Sequence, residues 1–95
     1  MTNNNNQVSV TYTDAQLRNL VEEYITQQKS GFTLKGVCSY VLYWAVEDDK
    51  VAQGDSLIVS NAISNADQQR VKRLLEAVVT DGRIASASDG TFQKR

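Results

Sequence analysis

Between Gln68 and Arg83 the chain carries four cations, Arg70, Lys72, Arg73 and Arg83, with the amides of Gln68 and Gln69 at their head. Such side chains donate hydrogen bonds and positive charge, so the chemistry they suit is the holding of anions and polar edges rather than bond making. Catalysis finds little support elsewhere. There is no histidine, which removes the commonest general base and metal ligand. Cys38 is the single cysteine; it excludes an internal disulfide and, without histidine, a zinc site of Cys/His type. Because Cys38 lies in the apolar run Val37–Val46, a buried, unreactive thiol is expected. Glu47, Asp48 and Asp49 lack the spacing and glycine of a calcium loop and read as a solvated acidic turn. Glu22 and Glu23 are neighbours with no partner base in view. Gly31, Gly36 and Gly54 make no phosphate-cradling pattern. A non-enzymatic protein with no metal and no cofactor is therefore expected.

The totals agree with a single small domain: 95 residues, 41% of them hydrophobic, leave no room for two independent cores. No apolar run approaches the roughly 20 residues that span a bilayer. Met1–Gln7 is polar with no apolar core behind it, unlike a signal peptide. The expectation is a cytoplasmic protein without a membrane partner. Net charge is −1, but the charges are unevenly placed. Residues 1–66 hold four Lys/Arg against seven Asp/Glu, whereas residues 67–95 hold six against four. A neutral total does not prevent one face from being basic.

The elements that must position these groups follow from spacing. The Asn/Gln run of Met1–Gln7 cannot bury apolar area and reads as a flexible polar arm, placed over residues 1–10, with a domain over 11–95. Val8–Tyr12 alternates, as a short strand or a lead-in. Thr13 and Gln16 fit a capping box, and Leu17, Leu20, Val21, Tyr24 and Ile25 repeat on one helical face. Lys29 suits the negative end of that helix and Gly31 its left-handed stop. Leu34–Asp49 is apolar all round; its length and Thr33 as N-cap favour helix, while its Val, Tyr and Trp content favours strand. Helix is the reading adopted, with Tyr40, Tyr43 and Trp44 in the core. After the turn signal Gln53-Gly54-Asp55, Ser56–Ile63 fits either a short helix capped by Asp55 or a strand at Leu57–Ser60.

Asn65 offers a cap for the next helix, over Asp67–Thr80. Val71, Leu74, Leu75, Val78 and Val79 form its apolar stripe, and Arg73 lies opposite. Gln69, Arg70, Lys72, Glu76 and Ala77 fill the exposed arc. Asp81-Gly82 ends the helix. Residues 83–88 and 91–95 then flank Asp89-Gly90, a strong hairpin signal. A two-residue turn puts Phe92 on one face with Ala85 and Ala87. A three-residue turn with a glycine bulge puts it with Ile84, and that register pools the larger apolar groups.

The stretch Gln68–Ile84, a helix leaving through aspartate-glycine into a hairpin, resembles the recognition helix and wing of the winged-helix family of helix-turn-helix domains. The resemblance implies an α+β fold of three or four helices with a C-terminal two-stranded wing, and duplex DNA as partner. By position it places Gln68, Gln69 and Arg73 at base edges, and Arg70, Lys72, Arg83 and Lys94 at phosphates. The chain departs from the family in one respect: the usual turn has 3–4 residues. If Leu34–Asp49 is the second helix, the connection to Asn65 is far longer; if Ser56–Ile63 is, Ser64–Ala66 fits. The fold does not fix the partner. The alternative is a protein partner, either docked on helix or wing or a second copy joined through Val37–Val46.

Overall fold

The computed structural model describes residues 7–52 and 62–95. The chain enters as a short strand, β1 (Gln7–Val8), and Thr13 then opens α1 (Asp14–Gln27). Both halves of the expected capping box are made. The Gln16 amide donates to Thr13 Oγ1 at 3.1 Å, and the Thr13 amide donates to Gln16 Oε1 at 3.0 Å. Leu17, Val21 and Ile25 are the buried stripe of this helix. Its end differs from expectation. The chain leaves in extended conformation at Gln28, and Gly31 has no positive φ. The capping cation is Lys94, not Lys29: its ammonium donates to the carbonyls of Thr26 and Gln28 at 3.3 and 3.2 Å.

A two-residue strand, β2 (Phe32–Thr33), leads into α2 (Leu34–Glu47), with Thr33 as N-cap accepting from the Gly36 amide at 3.1 Å. Helix thus wins over strand in this apolar segment. Only one face of it is core, however: Val37, Cys38, Val41 and Ala45 are buried, whereas Tyr43 and Trp44 are 58% and 36% exposed. The expectation that these two rings lie in the core is corrected. At 100° per residue Tyr43 lies about 175° from the centre of that stripe and Trp44 about 75°, at its edge, so packing on one side leaves Tyr43 outside and covers Trp44 only in part. Gly36 meets Tyr24 closely, since a Cβ there would lie 2.6 Å from the tyrosine hydroxyl.

Next among the described residues is a strand, β3 (Ala62–Ile63), followed directly by α3 (Asn65–Thr80). The expected cap moves by one residue. Ser64, not Asn65, is the N-cap, and its hydroxyl accepts from the Asp67 amide at 3.3 Å while donating to Asp67 Oδ2 at 2.9 Å. Asp67 at the third helical position holds Ser64 from both sides, which Asn65 with Gln68 does not match. Most of Ser56–Ile63 lies outside the described residues; its last two residues are strand. Among the described residues the second helix is α2.

Asp81 and Gly82, the latter at φ 80°, end α3. The hairpin follows as β4 (Ile84–Ser86) and β5 (Thr91–Lys94). Ser86 pairs with Phe92, and the Ala87 amide donates to the Thr91 carbonyl at 2.8 Å, leaving a three-residue turn with Gly90 at φ 89°. Phe92 accordingly shares its face with Ile84. The wing is not two-stranded alone. β2 pairs with β5, giving a three-stranded antiparallel sheet in the order β2-β5-β4. Phe32 lies opposite Phe92, their rings stacked with centroids 5.6 Å apart. With three helices among the described residues, the domain is a small α+β unit of winged-helix-like arrangement.

The N-terminal boundary is also corrected. Val8, Val10 and Tyr12 are 2%, 6% and 6% exposed, so residues 7–10 belong to the domain rather than to an arm. Their alternation directs the apolar side chains inward. β1 runs parallel to β3, and Val10 forms an antiparallel bridge to Val51. The entering strand therefore sits between the two ends of the connection joining α2 to α3.

Candidate nucleic-acid interface

Seven side chains were singled out in the sequence, and the fold treats them unequally. Arg70 is drawn inward. Its Nη1 donates to Asp67 Oδ1 at 2.9 Å, and its Nη2 donates to Asp14 Oδ1 and to the Tyr12 carbonyl, each at 2.8 Å. Asp67 is 5% exposed and completes the cluster by accepting the Val10 amide on Oδ2 at 2.9 Å. A buried carboxylate is tolerable because every one of these partners is in place. Arg70 thus ties α3 to the entering strand and to the start of α1.

Arg83 grips both carboxylate oxygens of Glu22 on α1. The hydrogen bonds from Arg83 hold the Glu22 carboxyl below its ordinary range, against a smaller opposing effect of burial. Lys94, as noted, is spent on the carbonyl end of α1, where a cation is favoured by the helix dipole. Gln68 turns back and donates from Nε2 to the Ile63 carbonyl at 2.9 Å. Four of the seven therefore have partners inside the domain.

Gln69, Lys72 and Arg73 remain on the exposed side of α3, and among the described residues neither cation is in an ion pair. Helical spacing places Gln69 and Arg73 directly outward, with Lys72 on the side toward the sheet. Lys72 lines a shallow hollow with Ser86 and Phe92 of the wing. Glu76 shares that face and dilutes its charge. The wing tip adds none, because its turn is Ser88-Asp89-Gly90 and Asp89 is exposed.

One further cation belongs to this side. Lys35 and Ser39 of α2 line a hollow of about 300 Å³ together with Gln68. Since Gln68 and Lys72 are one turn apart on α3, Lys35 flanks the same surface. Sequence reading missed it because its partner surface comes from a helix thirty residues on; its only local signal was an exposed lysine beside the Thr33 cap. The Asp67 cluster was missed for a similar reason, although the Ser64/Asp67 spacing was there to read.

Cys38 sits behind this surface at 6% exposure. Burial, with Asp67 nearby, pushes its thiol up to about 11, as expected for an inert core cysteine. No cluster of potential metal ligands occurs among the described residues. None of the described helices is long and apolar enough to cross a membrane. Comparison with known proteins gives no family model, curated protein or solved structure that matches this chain.

Proposed function

We propose that this is a non-enzymatic, cytoplasmic domain that binds duplex DNA through the outer face of α3, in the manner its winged-helix-like arrangement suggests. The observation carrying this reading is the selective release of Lys72 and Arg73. The fold absorbs Arg70, Arg83 and Lys94 into ion pairs and caps, yet leaves these two cations and Gln69 facing outward. Arg73 and Gln69 suit guanine and adenine edges in a major groove, and Lys72 with Lys35 suits the flanking phosphates. The wing, with Asp89 at its tip, stays out of the contact and serves instead to brace α3 against α1.

Binding of this kind is modest and strongly salt-dependent. Phosphate contacts from Lys35 and Lys72 correspond to a log–log salt slope of about −1.8, and loss of Lys72 to about −0.9. The test is titration of a labelled mixed-sequence duplex pool over a range of salt, with wild type and Lys72→Ala/Arg73→Ala. Weaker binding and a flatter slope in the double variant support the reading. Equal binding by both proteins, or none by either, rejects it. Arg70→Ala is unsuited to this purpose, because it removes a structural tie.

A second reading, a protein-interaction domain, is favoured by a different observation: Tyr43, Trp44 and Val46 are large apolar side chains left exposed on α2.

A further inference from the structure

Trp44, with Tyr40 beside it on α2, borders an open groove of about 810 Å³ between α1 and α2. Its walls are unlike the α3 face in both character and sign. Tyr40 and Trp44 supply aromatic surface from α2, Leu20 supplies an apolar floor from α1, and Glu22, Glu23 and Asp48 supply carboxylates. Among the described residues no lysine or arginine lines it. Tyr40 and Trp44 have centroids 6.4 Å apart, and Tyr43 continues the row at 5.3 Å from Trp44, edge to face.

The three carboxylates differ in their engagement. Glu22 is matched by Arg83. Glu23 receives a long hydrogen bond of 3.4 Å from the Tyr40 hydroxyl, and Asp48 receives one of 2.8 Å from the Tyr12 hydroxyl. A phenol orients a carboxylate without neutralising it. Among the described residues neither Glu23 nor Asp48 is in an ion pair.

We propose that this groove docks a short basic segment of another polypeptide, its Lys or Arg side chains lying over Trp44 and Tyr40 and reaching Glu23 and Asp48. Aromatic faces and carboxylates side by side attract the same ligand group, a cation on an apolar stem. Other occupants fit less well. A nucleic acid is repelled by the carboxylates. A symmetric contact between two copies sets the acidic groove of one, with Glu23 and Asp48, against the same groove of the other. Residues 1–6 and 53–61 of this chain contain no lysine or arginine. From Asn19 to Gln27 the α1 wall runs about 12 Å at 1.5 Å per residue, a length covered by about four extended residues. The docked motif is thus short, with two or three cations.

Trp44 is the chain's only tryptophan, so its emission reports on the groove directly. The probe is a short peptide of alternating arginine and glycine, compared with glutamate–glycine and glutamine–glycine peptides of equal length. Expected is a saturable change in Trp44 emission with the arginine peptide alone. Glu23→Lys should weaken it at least tenfold and Glu23→Gln by less, each variant being checked for its native circular dichroism. Lys72→Ala/Arg73→Ala should bind the peptide as wild type does, which separates this surface from the α3 face whatever the outcome with DNA. No saturable change, an equal response to the acidic peptide, or undiminished binding by Glu23→Lys overturns the proposal. So does sedimentation showing a dimer that shields Trp44 without peptide.

Discussion

At the scale of single residues, the lesson is that a cation's sequence position says less than its reach. Arg70 and Arg73 are three apart on one helix, yet one is locked to Asp67 and Asp14 while the other faces solvent. The difference follows from which side of α3 the entering strand crosses. Asp67 is the centre of that lock, so Asp67→Ala should lower unfolding free energy by about 3 kcal/mol, the scale of breaking a buried pair. Arg70→Ala should cost less, about 1–3 kcal/mol, since Ser64 and the Val10 amide still satisfy the carboxylate. Urea titrations of both variants check the order; a larger loss for Arg70→Ala would move the centre of the lock. The Glu22–Arg83 pair makes a pH prediction. Because the Glu22 carboxyl is held below its ordinary range when folded, its contribution is complete at neutral pH. It is lost as pH falls from the ordinary carboxylate range through the lowered folded value. Arg83→Ala should therefore flatten the acid limb of stability against pH, measured by thermal melts over that range, and leave the neutral limb's shape unchanged.

At the scale of elements, the wing's turn is set by backbone conformation rather than contact. Gly90 has φ 89° and a Cβ there would meet nothing within 4 Å. Gly90→Ala should thus cost about 1 kcal/mol from conformation alone, readable as a small drop in melting temperature with no change in Trp44 emission. The turn was legible in the sequence because Asp-Gly and the need to bring Phe92 beside Ile84 pointed to the same register. Helices α1 and α3 were legible because an apolar stripe adjoins one clear boundary signal in each, the Thr13 capping box for α1 and the Asp81-Gly82 stop for α3. What was not legible came from pairings between distant segments. Phe32–Thr33 is too short to announce a strand and becomes one only because β5 lies alongside. Tyr43 and Trp44 look like core in an apolar run, but a helix packed on one face has no second layer to cover them. Of the proposed DNA-contact set, the sequence showed the exposed arc of α3 but not the internal acids that claim Arg70 and Arg83.

At the scale of the whole molecule, the entering strand is the piece that joins the others. The Ala52 amide donates to the Ser9 carbonyl and the Thr11 amide to the Lys50 carbonyl, while the Ser64 amide donates to the Val8 carbonyl. Removing residues up to Tyr12 would expose the core faces these residues cover and leave Asp67 without its Val10 donor. Such a truncation should lose cooperative thermal unfolding, as followed by circular dichroism; a sharp native-like transition would show that the three helices and sheet suffice. The same placement sets an order of events during biosynthesis. Val10 and Asp67 are 57 residues apart, so at about 5–20 residues per second the ribosome needs roughly 3–11 s between them. Until Lys50–Ala52 emerge, Val8, Val10 and Tyr12 wait as a lone apolar strand, and until Asp67 emerges the Val10 amide lacks its acceptor, while the local contacts of α1 and α2 already reward folding. Closure of the strand is then the slow, high-separation step, and a substitution that only strengthens α1 would hasten the start of folding without hastening its completion.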